Sequence, residues 1–398
     1  MSDIRRPRQK LVRSINDLRA LLLKYSRQGR AEETRTLIHE YGEDVRQCVN
    51  TKDYSKLSPL HYAARTGQLE CVRLLVEMAG ADINVQTDER TTPLHFAARY
   101  RRSTDKPVLE FLGSKPDHQT NKWHQSEQSQ REENRSTSVN LGDESFEDVD
   151  AQFWETAEVP SERLLLNQMV MSPTRARPME PFDPVIHYLV THGAELNGQD
   201  ANGWTALHYA AIRGNQVATR QLVREPGINI ELEDHDLMRA IHLASLHNEL
   251  EIVRELLMAN ADPLAMTQTR CTPLHFACAT GNLQLVELIL GAALSKVKSP
   301  VSPLNITNRD GESPLHWAVA NGYAEVARFC IQHGANANLT PETEETCLHM
   351  AARVGSLNTT RLLLSVGVQI DAEDLLLQTA LHKASERNNV EVMKLLLE

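Results

Sequence analysis

One four-residue block ending in histidine recurs eight times, and it constrains the fold of this chain more than any other feature. Its copies read SPLH, TPLH, TALH, RAIH, TPLH, SPLH, TCLH and TALH, and they begin at Ser58, Thr92, Thr205, Arg239, Thr272, Ser313, Thr346 and Thr379. Five of the seven intervals between starts are 33 or 34 residues, and the other two are 113 and 41. Self-similarity at a fixed period of this size indicates an array of stacked structural repeats.

Each block is predicted to begin a helix that ends in a tight turn. Ser or Thr can cap a helix, and Pro fits the first helical turn because its missing N–H is not needed there. The leucine and the small residues that follow it, such as Leu60 and Ala63, let a neighbouring helix approach closely. Residue types that tolerate a left-handed turn stand nine places after most block starts, at Gly67, Gly214, Asn248, Gly281, Gly322, Gly355 and Asn388. A second apolar helix then follows, as in CVRLLVEM.

This T-P-L-H-x-A pattern at a period near 33 resembles that of the ankyrin-repeat family. The resemblance runs from about Lys56 to the last residue, apart from one long interruption. It implies an all-α fold, an ankyrin-repeat solenoid of stacked helix–turn–helix units with hairpin loops. It also implies that each block histidine bonds the hydroxyl of its own block and connects adjacent repeats.

A structural role is therefore predicted for the block histidines. They are spread one per repeat, whereas metal ligands must converge on a single point. We expect neither a metal site nor a catalytic residue among them. These residues are His61, His95, His208, His242, His275, His316, His349 and His382.

The composition excludes several classes of function. The net charge is −11, whereas nucleic-acid binding needs a basic surface, so no nucleic-acid partner is expected. Phosphate-loop, nucleophile-elbow and H-E-x-x-H motifs are absent, so we expect no enzyme activity, cofactor or small-molecule substrate. No apolar run is long enough to span a membrane. The six cysteines form no C-x-x-C pair, which favours reduced thiols and a cytoplasmic location, with the nucleus as an alternative.

The chain divides into five predicted parts. Residues 1–14 are a basic, disordered tail, and residues 15–57 are a degenerate capping repeat without the block. Residues 58–100 hold repeat 1 and the first helix of repeat 2. Residues 101–183 are a disordered acidic insertion, rich in Ser, Gln, Glu and Asp, unless part of this segment reflects a mistaken gene model. Residues 184–398 hold the rest of repeat 2 and repeats 3–8, the last of which is incomplete.

Two features of the insertion are candidate sites. The segment DESFEDVDAQFWETAE places Phe146, Phe153 and Trp154 among acids, which is typical of a linear motif for a basic, apolar groove. The alternative is that the acids only keep the loop solvated while the aromatic rings lean on the repeats. Ser172, followed by Pro173 and close to two arginines, is a phosphorylation candidate of a common kind.

The residue after each block histidine is predicted to face the inner curve of the array and to bind a protein partner. Most of these positions hold large apolar side chains, and exposed aromatic residues in a row would be anchors for a partner. The alternative is that some of the rings only support adjacent helices. The candidate row consists of Tyr62, Phe96, Tyr209, Phe276 and Trp317, with Arg213 beside it.

Two kinds of protein fit these features. The first is a non-catalytic adaptor, monomeric as isolated, whose concave face binds one or more other proteins. The second is the cytosolic N-terminal arm of a membrane protein. Repeats such as GWTALHYAAIRGN are similar to the arrays of ankyrin-type transient receptor potential channels, and this resemblance implies a calcium-permeable cation channel. Its pore would then lie beyond Glu398, and apolar spans in a longer transcript would distinguish the two.

Overall fold

The computed structural model describes residues 14–100, 182–296 and 302–398, and all regular structure within these ranges is helical. The α-helices are α1 (Ile15–Gln28), α2 (Ala31–Cys48), α3 (Pro59–Thr66), α4 (Leu69–Arg73), α5 (Pro93–Arg99), α6 (Pro184–Thr191), α7 (Ala206–Ile212), α8 (Gln216–Leu222), α9 (Ala240–Leu246), α10 (Leu250–Met258), α11 (Pro273–Thr280), α12 (Leu283–Lys296), α13 (Pro314–Ala320), α14 (Ala324–Gln332), α15 (Cys347–Val354), α16 (Leu357–Ser365), α17 (Ala380–Glu386) and α18 (Val390–Leu397). Helix α4 continues into a π-helical turn, Leu74–Met78, and a 3-10 helix, Pro303–Asn305, precedes α13. The all-α fold expected from the block pattern is confirmed.

From α3 onward every repeat contributes a first helix with an odd number and a second helix with an even number. First helices pack on the first helices of neighbouring repeats, and second helices pack on second helices. Helix α5 contacts both α6 and α7, although residues 101–181 intervene in the sequence. The stack is therefore continuous across the long interruption.

The blocks begin helices for the reasons that their residue types suggest. Thr205, for example, has extended backbone angles, and its hydroxyl accepts a hydrogen bond from the backbone N–H of His208 at 3.4 Å. At the other end of the first helix the chain turns through a left-handed residue, such as Gly67 with a φ of 69° or Asn248 with a φ of 59°. These are the residue types that adopt this conformation at the lowest cost.

The core lies along the seam between neighbouring units. The block leucines are among its most buried members, and Leu60 and Leu274 are both fully buried. Burying one such side chain contributes about 1.5–3 kcal/mol to stability. Alanines three places after the block leucine, such as Ala63 and Ala210, are also fully buried, because helix axes that approach closely leave no room for a larger side chain.

Hairpins between repeats are built on a recurring acidic or amide residue. The Oδ1 atom of Asp200 accepts hydrogen bonds from the backbone N–H groups of Asn202 and Trp204 at 2.8 and 2.9 Å, which closes the turn. Each tip also bonds its neighbour, as where the N–H of Ala201 donates to the carbonyl oxygen of Glu89 at 2.8 Å. The hairpins are thus connected in series along the stack.

Helices α1 and α2 form a unit of the same kind without the block. Ser14 caps α1 by accepting a hydrogen bond from the N–H of Asp17, and Gly29 ends this helix with a φ of 66°. Helix α1 packs on α3 and buries Leu18 and Leu22. In the ranges that the structure describes, no helix has both the length and the apolar character needed to cross a membrane.

Candidate functional site

Seven of the eight block histidines are buried and bridge two repeats. Each has an exposed fraction of at most 2%, and its Nδ1 accepts a hydrogen bond from the backbone N–H of the first block residue at 3.0–3.2 Å. The opposite nitrogen, Nε2, lies 2.9–3.2 Å from a carbonyl oxygen of the following unit. The carbonyl partners belong to Thr91, Trp204, Met238, Ala265, Glu312, Leu339 and Gln378.

This geometry determines the protonation state of the imidazoles. A backbone N–H can only donate, so Nδ1 must be the unprotonated nitrogen. Nε2 then carries the proton and donates it to the carbonyl oxygen of the next repeat. Burial disfavours the charged form and lowers the pKa of His61, His208, His242, His275 and His316 to about 4. These rings are neutral connectors between repeats.

The eighth histidine differs from the others in its exposure. His382 keeps the bond of its Nδ1 atom with the hydroxyl of Thr379, at 2.9 Å, but its side chain is exposed to solvent. Nowhere among the described residues do three His, Cys, Asp or Glu side chains converge so as to hold a metal ion.

All six cysteines are buried free thiols. Burial raises the pKa of Cys347 to about 12, so its reactive thiolate form is disfavoured. Cys278 and Cys330 belong to different repeats, and their sulfur atoms lie 3.8 Å apart. The contact with Cys330, followed by burial, holds the pKa of Cys278 well above its usual value. The thiols therefore serve as packing groups.

The expected exposure of the aromatic row is wrong for most of its members. Tyr62, Tyr209 and Phe276 are each only 6% exposed, and Phe96 and Trp317 are half-buried. Arg213 alone among the six candidate residues is exposed. The row is thus mainly an internal feature of the stack, and its role in binding a partner stays untested.

The burial of this row has a clear cause, because its polar tips bond the hairpins. The hydroxyl of Tyr62 donates to Asp53 at 2.6 Å, and that of Tyr209 donates to Asp200 at 2.7 Å. The indole N–H of Trp317 donates to Glu312 at 2.8 Å. Burial, followed by the bond to Asp53, raises the pKa of Tyr62 to about 12. The side chains therefore connect a first helix to its own hairpin.

The rings of the row also pack on the block histidines of the preceding repeat. Phe96 meets His61 edge-on with ring centroids 5.2 Å apart, and Trp317 meets His275 at 5.6 Å. Phe276 packs edge-on against Trp317 at 5.6 Å as well. Edge-to-face contacts of this kind add to stability beyond the area they bury.

The ends of the first helices carry a series of arginine side chains, most of which contact tyrosine rings. Of these arginines, only Arg213 was predicted from the sequence to be a site residue. Guanidinium groups alternate with tyrosine rings from one unit to the next. Arg27 lies over Tyr62 with its central carbon 5.9 Å from the ring centroid. Arg65 and Arg99 lie 4.7 and 6.0 Å from the centroid of Tyr100. Arg99 is also 5.6 Å from the ring of Tyr209.

Two further basic groups extend this line. Partial burial, and after it the nearby Arg99, lowers the pKa of Arg213. Partial burial and then Arg213 lower the pKa of His247. We call the set Arg27, Arg65, Arg99, Arg213 and His247 the cationic ladder. Its members stand at or near the carboxyl ends of first helices, where the helix dipole favours positive charge.

In one later repeat the basic residue at the equivalent place is neutralised. Arg353, which like Arg65 stands seven residues after a block start, pairs with Glu345 at 3.4 Å. Lys383, which stands four residues after a block start as Tyr209 does, pairs with Asp374 at 2.7 Å. By contrast, in the part of the chain that the structure describes, Arg65, Arg99 and Arg213 have no carboxylate within ion-pair distance. The signal in the sequence is an Arg seven or eight residues after a block start without an acid directly before the block.

Four predicted residues lie outside the described residues. Phe146, Phe153 and Trp154 of the acidic segment and the phosphorylation candidate Ser172 all fall between 101 and 181. Most of the predicted segments 1–14 and 101–183 also lies outside the described residues. These expectations stay predictions.

The chain is similar to a known family over most of its length. The family model described as Ankyrin repeats (3 copies) matches residues 22–122, 180–267, 241–341, 274–374 and 329–398. The human transient receptor potential cation channel subfamily A member 1 is 29% identical over 150 residues, which is 38% of this chain and 13% of that protein.

Two other human relatives are similar to the same degree. B-cell lymphoma 3 protein is 28% identical over 171 residues, 42% of this chain and 36% of its own length. NF-kappa-B inhibitor alpha is 28% identical over 140 residues, 34% of this chain and 44% of its own length. The chain thus spans less than half the length of these curated relatives. Because the family model covers well over half of the chain, this protein belongs to the ankyrin-repeat family.

Proposed function

We propose that this chain is a non-catalytic scaffold, cytoplasmic and monomeric as isolated, which binds other proteins at the ends of its first helices. The observation that carries the proposal is the cationic ladder, which runs over the leading unit and repeats 1–4. Unneutralised guanidinium groups in a chain of net charge −11 stabilise neither a hairpin nor a neighbouring helix through an ion pair. A surface for a partner accounts for them.

The histidine and cysteine side chains also fit a scaffold role. The block histidines are neutral connectors, and the cysteines are buried thiols, whose reactive thiolate form burial disfavours. Buried free thiols also fit a reducing compartment such as the cytoplasm. The relatives belong to a family whose members generally act by binding rather than by catalysis.

A binding experiment with a variant of the ladder tests the proposal. Arg65→Ala, Arg99→Ala and Arg213→Ala together should reduce capture of the main cellular partner at least tenfold, since Arg is a frequent anchor of protein interfaces. Arg361→Ala is the matched control, because Arg361 is an exposed arginine on a second helix, α16, away from the ladder. Calorimetry with the purified partner should reproduce the difference. Equal affinity of the triple variant and the parent chain would refute the ladder as the binding surface.

A second candidate function is the cytosolic arm of a transient receptor potential-type cation channel. The observation that favours it is the 29% identity with the human channel relative over 150 residues. Sequencing the full-length transcript tests it, because a channel needs further apolar segments of about 20 residues each. A stop codon directly after the codon for Glu398 would leave only the scaffold.

A further inference from the structure

We infer that the cationic ladder receives an extended, acidic segment of a partner protein, with a carboxylate at about every third residue. The inference rests on the proposed binding role of the ladder and adds the chemistry of what it binds. It follows from three observations, namely the lack of neutralising carboxylates, the stacking of arginine on tyrosine, and the one-per-unit spacing of the positive charges.

The first observation is electrostatic. Arg99, Arg213 and His247 are close enough to influence one another, and no carboxylate lies within ion-pair distance of Arg99 or Arg213 in the described part of the chain. Asp53 and Asp200 are already bonded to tyrosine hydroxyls. Like charges held together without a counterion favour an anionic ligand.

The second observation concerns how the arginines are held. Contact with the rings of Tyr62, Tyr100 and Tyr209 restricts the guanidinium groups of Arg27, Arg65 and Arg99. A guanidinium edge matches the two oxygens of a carboxylate. Because the rings already order these side chains, less conformational entropy is lost when a ligand binds.

The third observation is the spacing. Neighbouring helices in a stack lie about 10 Å apart, so successive members of the ladder are separated by about this distance. A peptide in the extended polyproline II conformation advances about 3.1 Å per residue and presents every third side chain on the same side. One carboxylate in about every three residues therefore matches one basic group per unit, and about twelve residues would run from Arg27 to His247.

A polynucleotide fits this surface less well than a peptide. Duplex DNA carries one charge per about 1.7 Å, far denser than a ladder with one positive group per unit. The net charge of −11 on the chain as a whole would also repel a long polyanion. An acidic peptide, by contrast, can confine its charges to the row that the ladder offers.

The test uses the full chain and defined peptides. The probe is a fluorescein-labelled peptide of about twelve residues with glutamate at every third position, and its binding is measured by fluorescence anisotropy. A peptide with glutamine in place of each glutamate, and one with the same glutamates placed side by side, are the comparisons. We expect saturable binding of the spaced peptide, weaker binding of the clustered one, and none of the glutamine peptide. Affinity should fall as NaCl rises.

Variants assign the binding to the ladder. Arg99→Glu and Arg213→Glu should each raise the Kd at least about tenfold, because an attraction is replaced by a repulsion. Arg361→Glu on helix α16 makes the same charge change elsewhere and should leave the Kd within about twofold. Arg99→Lys and Arg213→Lys should retain part of the affinity. Thermal melts monitored by circular dichroism confirm that each variant is folded before it is compared.

Several outcomes would overturn the inference. The inference is wrong if the glutamine peptide binds as tightly as the spaced glutamate peptide, or if both charge reversals leave the Kd unchanged. It is also wrong if a DNA duplex binds more tightly than the spaced peptide. Equal affinity for clustered and spaced peptides would refute the one-in-three spacing. If the arginine variants lose the cellular partner but no acidic peptide binds, the result supports the proposed scaffold role and refutes the inference that the partner binds through an acidic segment. If the partner binds every variant normally, both are wrong.

Discussion

At the scale of single residues, the block histidine is the unit on which the stack depends. His275 is fully buried, accepts a hydrogen bond from the N–H of Thr272 at 3.0 Å, and lies 3.2 Å from the carbonyl oxygen of Glu312 in the next repeat. One ring thus supplies hydrogen-bond partners to a backbone N–H at a helix start and to a backbone carbonyl oxygen in the hairpin of the adjacent unit. A carboxylate in its place would have no proton to donate to that carbonyl.

Replacing His275 with Ala should lower the free energy of unfolding by about 1–3 kcal/mol, because two buried backbone groups lose their partner. Urea denaturation followed by circular dichroism measures the change. The same substitution at exposed His382 is the control and should cost less than 1 kcal/mol. Addition of a chelator should alter neither curve, and a loss of helicity on chelation would contradict the structural role.

Lowering the pH should destabilise the folded chain, because protonation of these histidines is favoured in the unfolded state. Their folded pKa values near 4 lie below the value of about 6.5 for an unfolded histidine, so the unfolded chain binds more protons between these limits. Stability is therefore fully present above about pH 6.5 and falls as pH decreases towards 4, by up to about 1.4 kcal/mol per pH unit for each histidine.

Urea midpoints recorded from pH 7 to pH 4.5 check this dependence. His208→Asn removes one titrating ring, so its midpoint should change less steeply with pH than that of the parent chain. A midpoint that stays constant between pH 6.5 and 4.5 would show that the rings are not held neutral.

At the scale of elements, the side chain after each block histidine couples a first helix to its hairpin. Tyr209 and Asp200 form the best-buried case, since both are nearly inaccessible to solvent. The pair formed by Tyr62 and Asp53 has the same separation of nine residues but a half-buried acid. The two pairs therefore differ mainly in solvent access.

Tyr209→Phe should destabilise the chain by about 1–3 kcal/mol, because one oxygen of buried Asp200 loses its donor while its charge remains. Tyr62→Phe should cost roughly 1 kcal/mol or less, since water can reach Asp53. Differential scanning calorimetry of the two variants measures this contrast. Equal melting temperatures for both variants would argue against the hairpin coupling.

Much of the element structure could be predicted from the sequence, because the block combines a cap, a helix start and a turn within ten residues. The exposure of Tyr209 was predicted wrongly, since helical periodicity does not show that Asp200 lies within reach of its hydroxyl. The ladder was missed for a related reason. Arg65 meets Tyr100 only through the stacking of two repeats, and Tyr100 precedes the interruption, where the repeat pattern is least regular.

At the scale of the whole molecule, the repeats on either side of residues 101–181 act as one stack. Asn84 bonds the carbonyl oxygen of Gly193 at 3.0 Å, and His95 lies 3.0 Å from that of Trp204. Each pair is separated by 109 residues in sequence. Contacts of this kind connect the described residues on the two sides of the interruption directly.

Deleting Thr104–Pro181 should leave the melting temperature equal or higher. Closing a shorter loop costs less entropy, by about 0.6 kcal/mol per halving of its length, and the composition of the segment predicts no core of its own. Thermal melts of the deletion variant and the full chain test this. In limited proteolysis of the full chain the first cuts should fall between Ser114 and Arg177. Protection of that stretch throughout the digestion would reveal a folded element there.

The bond from the N–H of Ala201 to the carbonyl oxygen of Glu89 has a consequence for how the protein could be assembled. Together with the packing of α5 on α6 and α7, it means that covalent continuity between Tyr100 and Phe182 is not what holds the two parts of the array in register. Two polypeptides synthesised separately, one ending and the other beginning inside that stretch, should therefore recognise each other and reconstitute the native stack by noncovalent complementation.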